Sequence, residues 1–139
     1  MVSDALELGV DLGLNRYVNV FTNYSYQADP VVEGFDPSET NFPPNNRFNA
    51  GFDFSRSRYL GNFSVNYTDS AYWQDVLDAR YAGPTDAYTL LNGAFGVRWM
   101  GDRVTTSIKV NNLTNQEVQQ HVFGDILKRQ VVGELRVNF

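Results

Sequence analysis

Strict alternation of apolar and polar residues, sustained over stretches of about ten, constrains this chain more than any other feature. "ALELGVDLGL" sets Leu6, Leu8, Val10, Leu12 and Leu14 against Glu7, Gly9, Asp11 and Gly13. "RFNAGFDFS" sets Phe48, Ala50, Phe52 and Phe54 against Asn49, Gly51, Asp53 and Ser55. Side chains of a strand point to opposite faces in turn, so a period of two is the signature of a strand with two different environments. The pattern recurs in "YVNVFTNYSYQ", "GNFSVNYTDSAYW", "YTLLNGAFGVRW", "RVTTSIKVNN" and the closing "VVGELRVNF", so about seven strands and no helix are expected over residues 1–139.

Strand length and the chemistry of the polar positions narrow the choice. Strands in soluble domains run to about five or six residues, whereas about ten are needed to cross a bilayer at a tilt. The polar positions are Gly, Ser, Asn and Thr as often as charged residues, which suits a crowded wet lumen better than an open solvent face. Connections alternate in length. "LNR", "SRSR" and "MGDR" are tight, whereas "ADPVVEGFDPSETNFPPNN", "QDVLDARYAGPTDA" and "NQEVQQHVFGDI" are long. Outer-membrane barrels alternate in the same way, with short periplasmic turns and long external loops. The fold expected is therefore an all-β antiparallel meander of about seven long strands, forming part of a transmembrane β-barrel. Tyr24, Tyr26, Trp73 and Trp99 are expected at the membrane interfaces. Glu7, Asp11, Asp53, Arg98, Lys109, Glu134 and Arg136 are expected to face the lumen. An odd strand count cannot close in one chain with both ends in the periplasm. The expectation is thus a single segment of a larger barrel, the remainder of that barrel being its first partner.

Composition excludes several function classes. A net charge of −5 argues against nucleic acid, whose phosphates need a basic surface. With no cysteine there is no thiolate nucleophile, disulfide or sulfur-ligated metal. The single histidine, His121, lies in a long stretch beside Gln119 and Gln120, with no second histidine to complete a transition-metal site. Clustered acids in the long connections (Asp29, Glu33, Asp36 and Glu39, then Asp75, Asp78 and Asp86) do not have the spacing of a calcium-binding loop, and read as solvated loop charge. No G-x-S-x-G elbow occurs, and neither enzymatic activity nor a cofactor or metal is expected.

The run "DAYTLLNGAFGVRW", followed by "IKVNNLTNQEV" and a last strand ending on Phe139, resembles the final strands of TonB-dependent outer-membrane receptors. "FTNYSYQ", "PPNNRFNAGFDFS" and "LGNFSVNYTDSAYW" resemble the strands that precede them. The resemblance implies a barrel in the outer membrane of a Gram-negative bacterium that imports a small ligand such as an iron chelate, cobalamin or a carbohydrate. It implies an N-terminal plug, TonB, the barrel-assembly machinery and lipid or lipopolysaccharide as partners. Leu135, Val137 and Phe139 would then belong to the barrel-closing strand and its assembly signal. Two other readings of the residues stay open. One is a small outer-membrane barrel of structural, adhesive or pore type, standing alone or built as a homo-oligomer; the other is a soluble β-barrel or sandwich binding module.

Overall fold

Seven long strands pair in chain order into one antiparallel sheet. The structure, a computed structural model, describes residues 4–31, 34, 41–74, 81–122 and 124–139. The long strands are β1 (Ala5–Asn15), β2 (Val18–Gln27), β3 (Asn46–Arg56), β4 (Tyr59–Thr68), β7 (Tyr88–Trp99), β8 (Val104–Asn111) and β9 (Gln130–Val137). They lie in the order β1-β2-β3-β4-β7-β8-β9, so each pairs with its neighbours in sequence and the sheet is open, with β1 and β9 at its edges. Two short strands, β5 (Ala71–Trp73) and β6 (Gly83–Thr85), form a separate hairpin. No α-helix occurs among the described residues.

The register carries each strand's alternation across the whole sheet, because directly opposed residues share a face. One row runs Leu12, Val20, Phe52 and Phe63; another runs Phe95, Ile108 and Gly133. Every such row is apolar or small through the middle of the sheet, and Arg56, at the end of β3, is the one charged side chain in those rows. The other face carries the amides, hydroxyls and charges, as in the row Asn19, Asp53, Asn62, Ala94 and Lys109.

Among the described residues the apolar face has no partner. Leu6, Leu8, Val10, Leu12 and Leu14 are 49–63% exposed, and Leu135 is 68% exposed. Among the described residues only Ala71 and Val118 are buried hydrophobics, so the sheet encloses no core of its own. Aromatic rings pack along this face instead. Phe54 and Phe95 lie 6.4 Å apart, and Tyr59 and Phe95 6.1 Å. Gly61, opposite both Phe54 and Phe95, makes room for that row, since a Cβ there would lie 2.6 Å from Phe54 Cε1 and 2.7 Å from the Ala94 carbonyl oxygen.

One strand ends earlier than its alternation suggests. The sequence pattern continues from Gly61 to Trp73, whereas β4 stops at Thr68 and the chain turns at Asp69 and Ser70. The carboxylate of Asp69 accepts the Ser70 amide at 2.9 Å and the Asn46 side-chain amide at 2.9 Å, which pins the turn against the start of β3. Ala71–Trp73 then pairs with Gly83–Thr85, and Tyr72 also bridges Phe42.

Candidate functional site on the two faces and rims of the sheet

All seven residues expected to line a lumen lie on the polar face. Glu7 opposes Ser25, Asp11 opposes Phe21, and Asp53 sits between Asn19 and Asn62. Arg98 and Arg136 flank Thr105 on either side, while Glu134 opposes Ser107 and Lys109 opposes Val132. Four of the seven are engaged. Lys109 Nζ reaches Glu134 Oε2 at 2.6 Å, and Arg136 reaches the same carboxylate at 3.4 Å. Arg98 donates to Ser55 Oγ at 2.8 Å and to the Ser57 carbonyl at 3.4 Å. Glu7, Asp11 and Asp53 make no ion pair with any described residue. The β1–β3 half of the polar face carries these three carboxylates against Arg47 and is acidic, whereas the β7–β9 half carries Arg98, Lys109 and Arg136 against Glu134 alone and is basic.

Leu135 and Val137 stand on the apolar face of β9, opposite Thr106 and Val104. Beyond the strand, Asn138 keeps the tail on the sheet by donating its amide to the Arg103 carbonyl at 2.8 Å, and Phe139 is fully exposed. With β9 at the sheet edge, this row faces outward along an unpaired backbone.

The expected interfacial aromatics divide between two ends. Tyr24 and Tyr26 occupy the long-loop end of the apolar face, beside Tyr67. There the Tyr24 hydroxyl donates to Asn46 Oδ1 at 2.7 Å, and the Asn46 amide donates to Asp69 Oδ2. That amide bond, the Ser70 amide and the Tyr67 hydroxyl hold the Asp69 carboxyl below the ordinary aspartate value, and its slight burial only partly opposes this. Trp99 stands at the tight-turn end, half exposed, with its indole N–H on Thr106 Oγ1 at 3.0 Å. Trp73 lies outside the seven-stranded sheet, at the end of β5 in the short hairpin; it donates to Thr85 Oγ1 at 3.2 Å and packs against His121 with ring centroids 4.6 Å apart.

The loop end of the polar face holds two adjoining clefts. One of about 300 Å³ presents the Trp73 and Tyr88 rings beside Arg47, Asp69, Thr85 and Gln120. The other, about 280 Å³, lies on the far side of Thr85 and Tyr88, against Gln116, Val118, Gln119 and Ile126. Aromatic faces next to convergent amides and charges suit a small polar ligand, although each volume is at the low end for a binding pocket. Val118, 1% exposed, anchors this loop by bridging Leu127. The bridge is flanked by Glu117 and Lys128 at 2.8 Å, where hydrogen bonding and opposite charge lower the Glu117 pKa and raise that of Lys128.

The "NNLTN" motif is a structural turn. Asn112 is 3% exposed in the left-handed region (φ 56°), and Asn115 adopts the same region (φ 54°). The Asn112 side chain accepts the Gln116 amide at 3.0 Å and donates to the Gln116 carbonyl at 2.7 Å. Asn115 Oδ1 accepts the Arg129 amide at 3.0 Å, so both ends of the last long loop are tied together. Of the loop acids, Asp29 accepts from Asn45 at 2.7 Å and Asp86 is exposed; Glu33, Asp36, Glu39, Asp75 and Asp78 lie outside the described residues. No protein-family model matches the chain, and neither does any curated protein.

Proposed function

We propose that this chain forms part of the wall and external loops of a transmembrane β-barrel in a bacterial outer membrane, of the TonB-dependent receptor class, which imports a small ligand such as an iron chelate, cobalamin or a carbohydrate. The observation that carries the membrane reading is the continuous exposed apolar face on seven strands, in a chain whose described residues enclose no hydrophobic core. A soluble sandwich hides such a face against a second sheet. Among the described residues the only other sheet is the short β5–β6 hairpin. An eleven-residue strand such as β1 spans about 36 Å, which at a tilt of about 45° covers roughly the 25 Å apolar band of an outer membrane. The receptor class rests on the resemblance of residues 86–99, 108–118 and 131–139 to the closing strands of those proteins, and on clefts that open at the loop end of the polar face.

The absence of native cysteine makes the test clean. Single cysteines placed in turn at positions 8 to 13 of β1 are labelled with a fluorophore in vesicles carrying a lipid-attached quencher. Quenching at 8, 10 and 12 but not at 9, 11 and 13 supports the wall reading, and uniform quenching or none sinks it. Transport is tested by disrupting the gene in the source bacterium and measuring uptake of ferric ferrichrome, cyanocobalamin and maltohexaose. Unchanged uptake of all three removes these substrates from the proposal.

A further inference from the structure

The three tight turns of the meander all fall at one end of the sheet, and that end is basic. The stretches 15–18, 55–60 and 98–104 hold Arg16, Arg56, Arg58, Arg98 and Arg103, against the single acid Asp102. At the opposite end the described residues hold Asp4, Asp29, Asp69, Asp86, Glu117 and Asp125 against Arg47, Lys128 and Arg129, so acids outnumber cations two to one. The arginines are organised around aromatic rings. Arg16 and Arg56 stand over Tyr17 at 5.5 and 5.4 Å, and Arg58 stands over Tyr59 at 5.2 Å and Trp99 at 5.9 Å. Stacking fixes each guanidinium plane and leaves its N–H edges free to donate. Arg16, Arg56 and Arg58 have no ion-pair or hydrogen-bond acceptor among the described residues, whereas Lys109, Lys128 and Arg136 each meet a carboxylate.

Just inside this rim the apolar face is grooved. A cleft of about 400 Å³ is floored by Val18, Phe52 and Phe54, with Asn15, Tyr17 and Arg56 at its mouth. A cluster of guanidinium forks without anions, set beside interfacial aromatics and opening onto an apolar groove, has the chemistry of a phosphate group joined to a hydrocarbon chain.

We propose that the tight-turn rim binds the headgroups of anionic glycerophospholipids: Arg16, Arg56 and Arg58 hold the phosphate, and the groove beneath Tyr17 takes the start of an acyl chain. The inference rests on the membrane reading and deepens it by stating which leaflet the rim faces: the one rich in anionic phospholipid. The acidic loop end repels the same headgroups, so the charge partition orients the sheet as well. A second copy of the chain is a poor occupant, because a symmetric contact through this rim would bring arginine against arginine.

The test is flotation of the full 139-residue chain with vesicles of phosphatidylcholine alone or with about one-third phosphatidylglycerol, at low and high salt. Each arginine near an anionic surface contributes about a fivefold gain, so preference for the mixed vesicles should reach tenfold or more at low salt and shrink at high salt. The triple variant R16Q/R56Q/R58Q should lose that preference while still floating with phosphatidylcholine. Arg129→Gln, the loss of one charge at the loop end, should keep it. The triple lysine variant R16K/R56K/R58K, which keeps charge without the fork, should retain only part. Equal flotation of the native chain with both vesicles overturns the lipid site and leaves the wall reading standing. Flotation with neither overturns both. Retained preference in the glutamine variant, or protection of the rim by a second copy in detergent, also overturns the proposal.

Discussion

Replacing Asn112 with alanine should cost far more than an ordinary loop substitution, and the cost can be built from its parts. The residue sits in the left-handed region, 3% exposed, with two well-made side-chain hydrogen bonds to the Gln116 backbone. The third contact, from Thr114 Oγ1 at 3.4 Å, is too long to count. Each lost bond removes about 1 kcal/mol, and more where its partner stays buried and unpaired. Alanine also tolerates the left-handed backbone less well than asparagine, by about 1 kcal/mol. The sum is about 3–4 kcal/mol. Glycine loses the same two bonds but not the backbone preference, so Asn112→Gly should cost about 2 kcal/mol. The assay is urea unfolding of the chain refolded in vesicles, followed by tryptophan fluorescence in single-tryptophan backgrounds. Trp73 reports on the loop cluster and Trp99 on the opposite rim, so the alanine variant should shift the Trp73 transition more. A glycine variant less stable than the alanine one, or an alanine variant within 1 kcal/mol of the native chain, would falsify this account of the motif.

Three further outcomes are expected. Gly61→Ala should destabilise the sheet by about 1–3 kcal/mol, because its Cβ meets both Phe54 and a backbone carbonyl. In a Phe54→Ala background part of that cost should vanish, and full additivity in a double-mutant cycle refutes the packing argument. Ser57, with φ 54° in the β3–β4 turn, should gain about 1 kcal/mol on replacement by glycine, read as a rise in unfolding midpoint. Asp69 has its pKa held below the ordinary 3.8, so its contribution is complete above that value and is lost as pH falls through the depressed one. Asp69→Asn should therefore flatten the acid limb of a stability-against-pH curve, and an unchanged limb contradicts the assigned hydrogen bonds.

The strands were legible because both faces of the sheet have a single character along their whole length. Period-two alternation then places each residue, and the seven long strands lie within two residues of their sequence-read limits except where β4 ends. The cause is a single residue: Ala71 and Trp73 keep the parity of Val65 and Tyr67, but Asp69 puts a charge on that apolar parity between them, and its carboxylate makes the turn. Trp73 belongs instead to β5, and its contact with His121 depends on how two distant loops fold back. Phe21 also defies the pattern. It is a large aromatic on the polar face, opposite Gly51, where a Cβ would lie 2.7 Å from its ring. A glycine facing an aromatic across two strands is a signal visible only once the register is known.

The basic rim leaves a trace in the sequence, since every tight turn contains an arginine next to a tyrosine or tryptophan: "NRY", "SRSRY" and "RWMGDR". Read one turn at a time, each is an ordinary solvated cation. A meander joined by alternating short and long connections brings all its short turns to one end, and only that topology sums them into a surface. The same geometry gathers the acids of the long connections at the other end. The strands therefore separate apolar from polar across the sheet, and the turns separate positive from negative along it. A soluble domain gains nothing from the second separation, because water screens both ends alike within about 10 Å. A wall between two different headgroup layers does, and that is the physical reason to expect both asymmetries in one molecule.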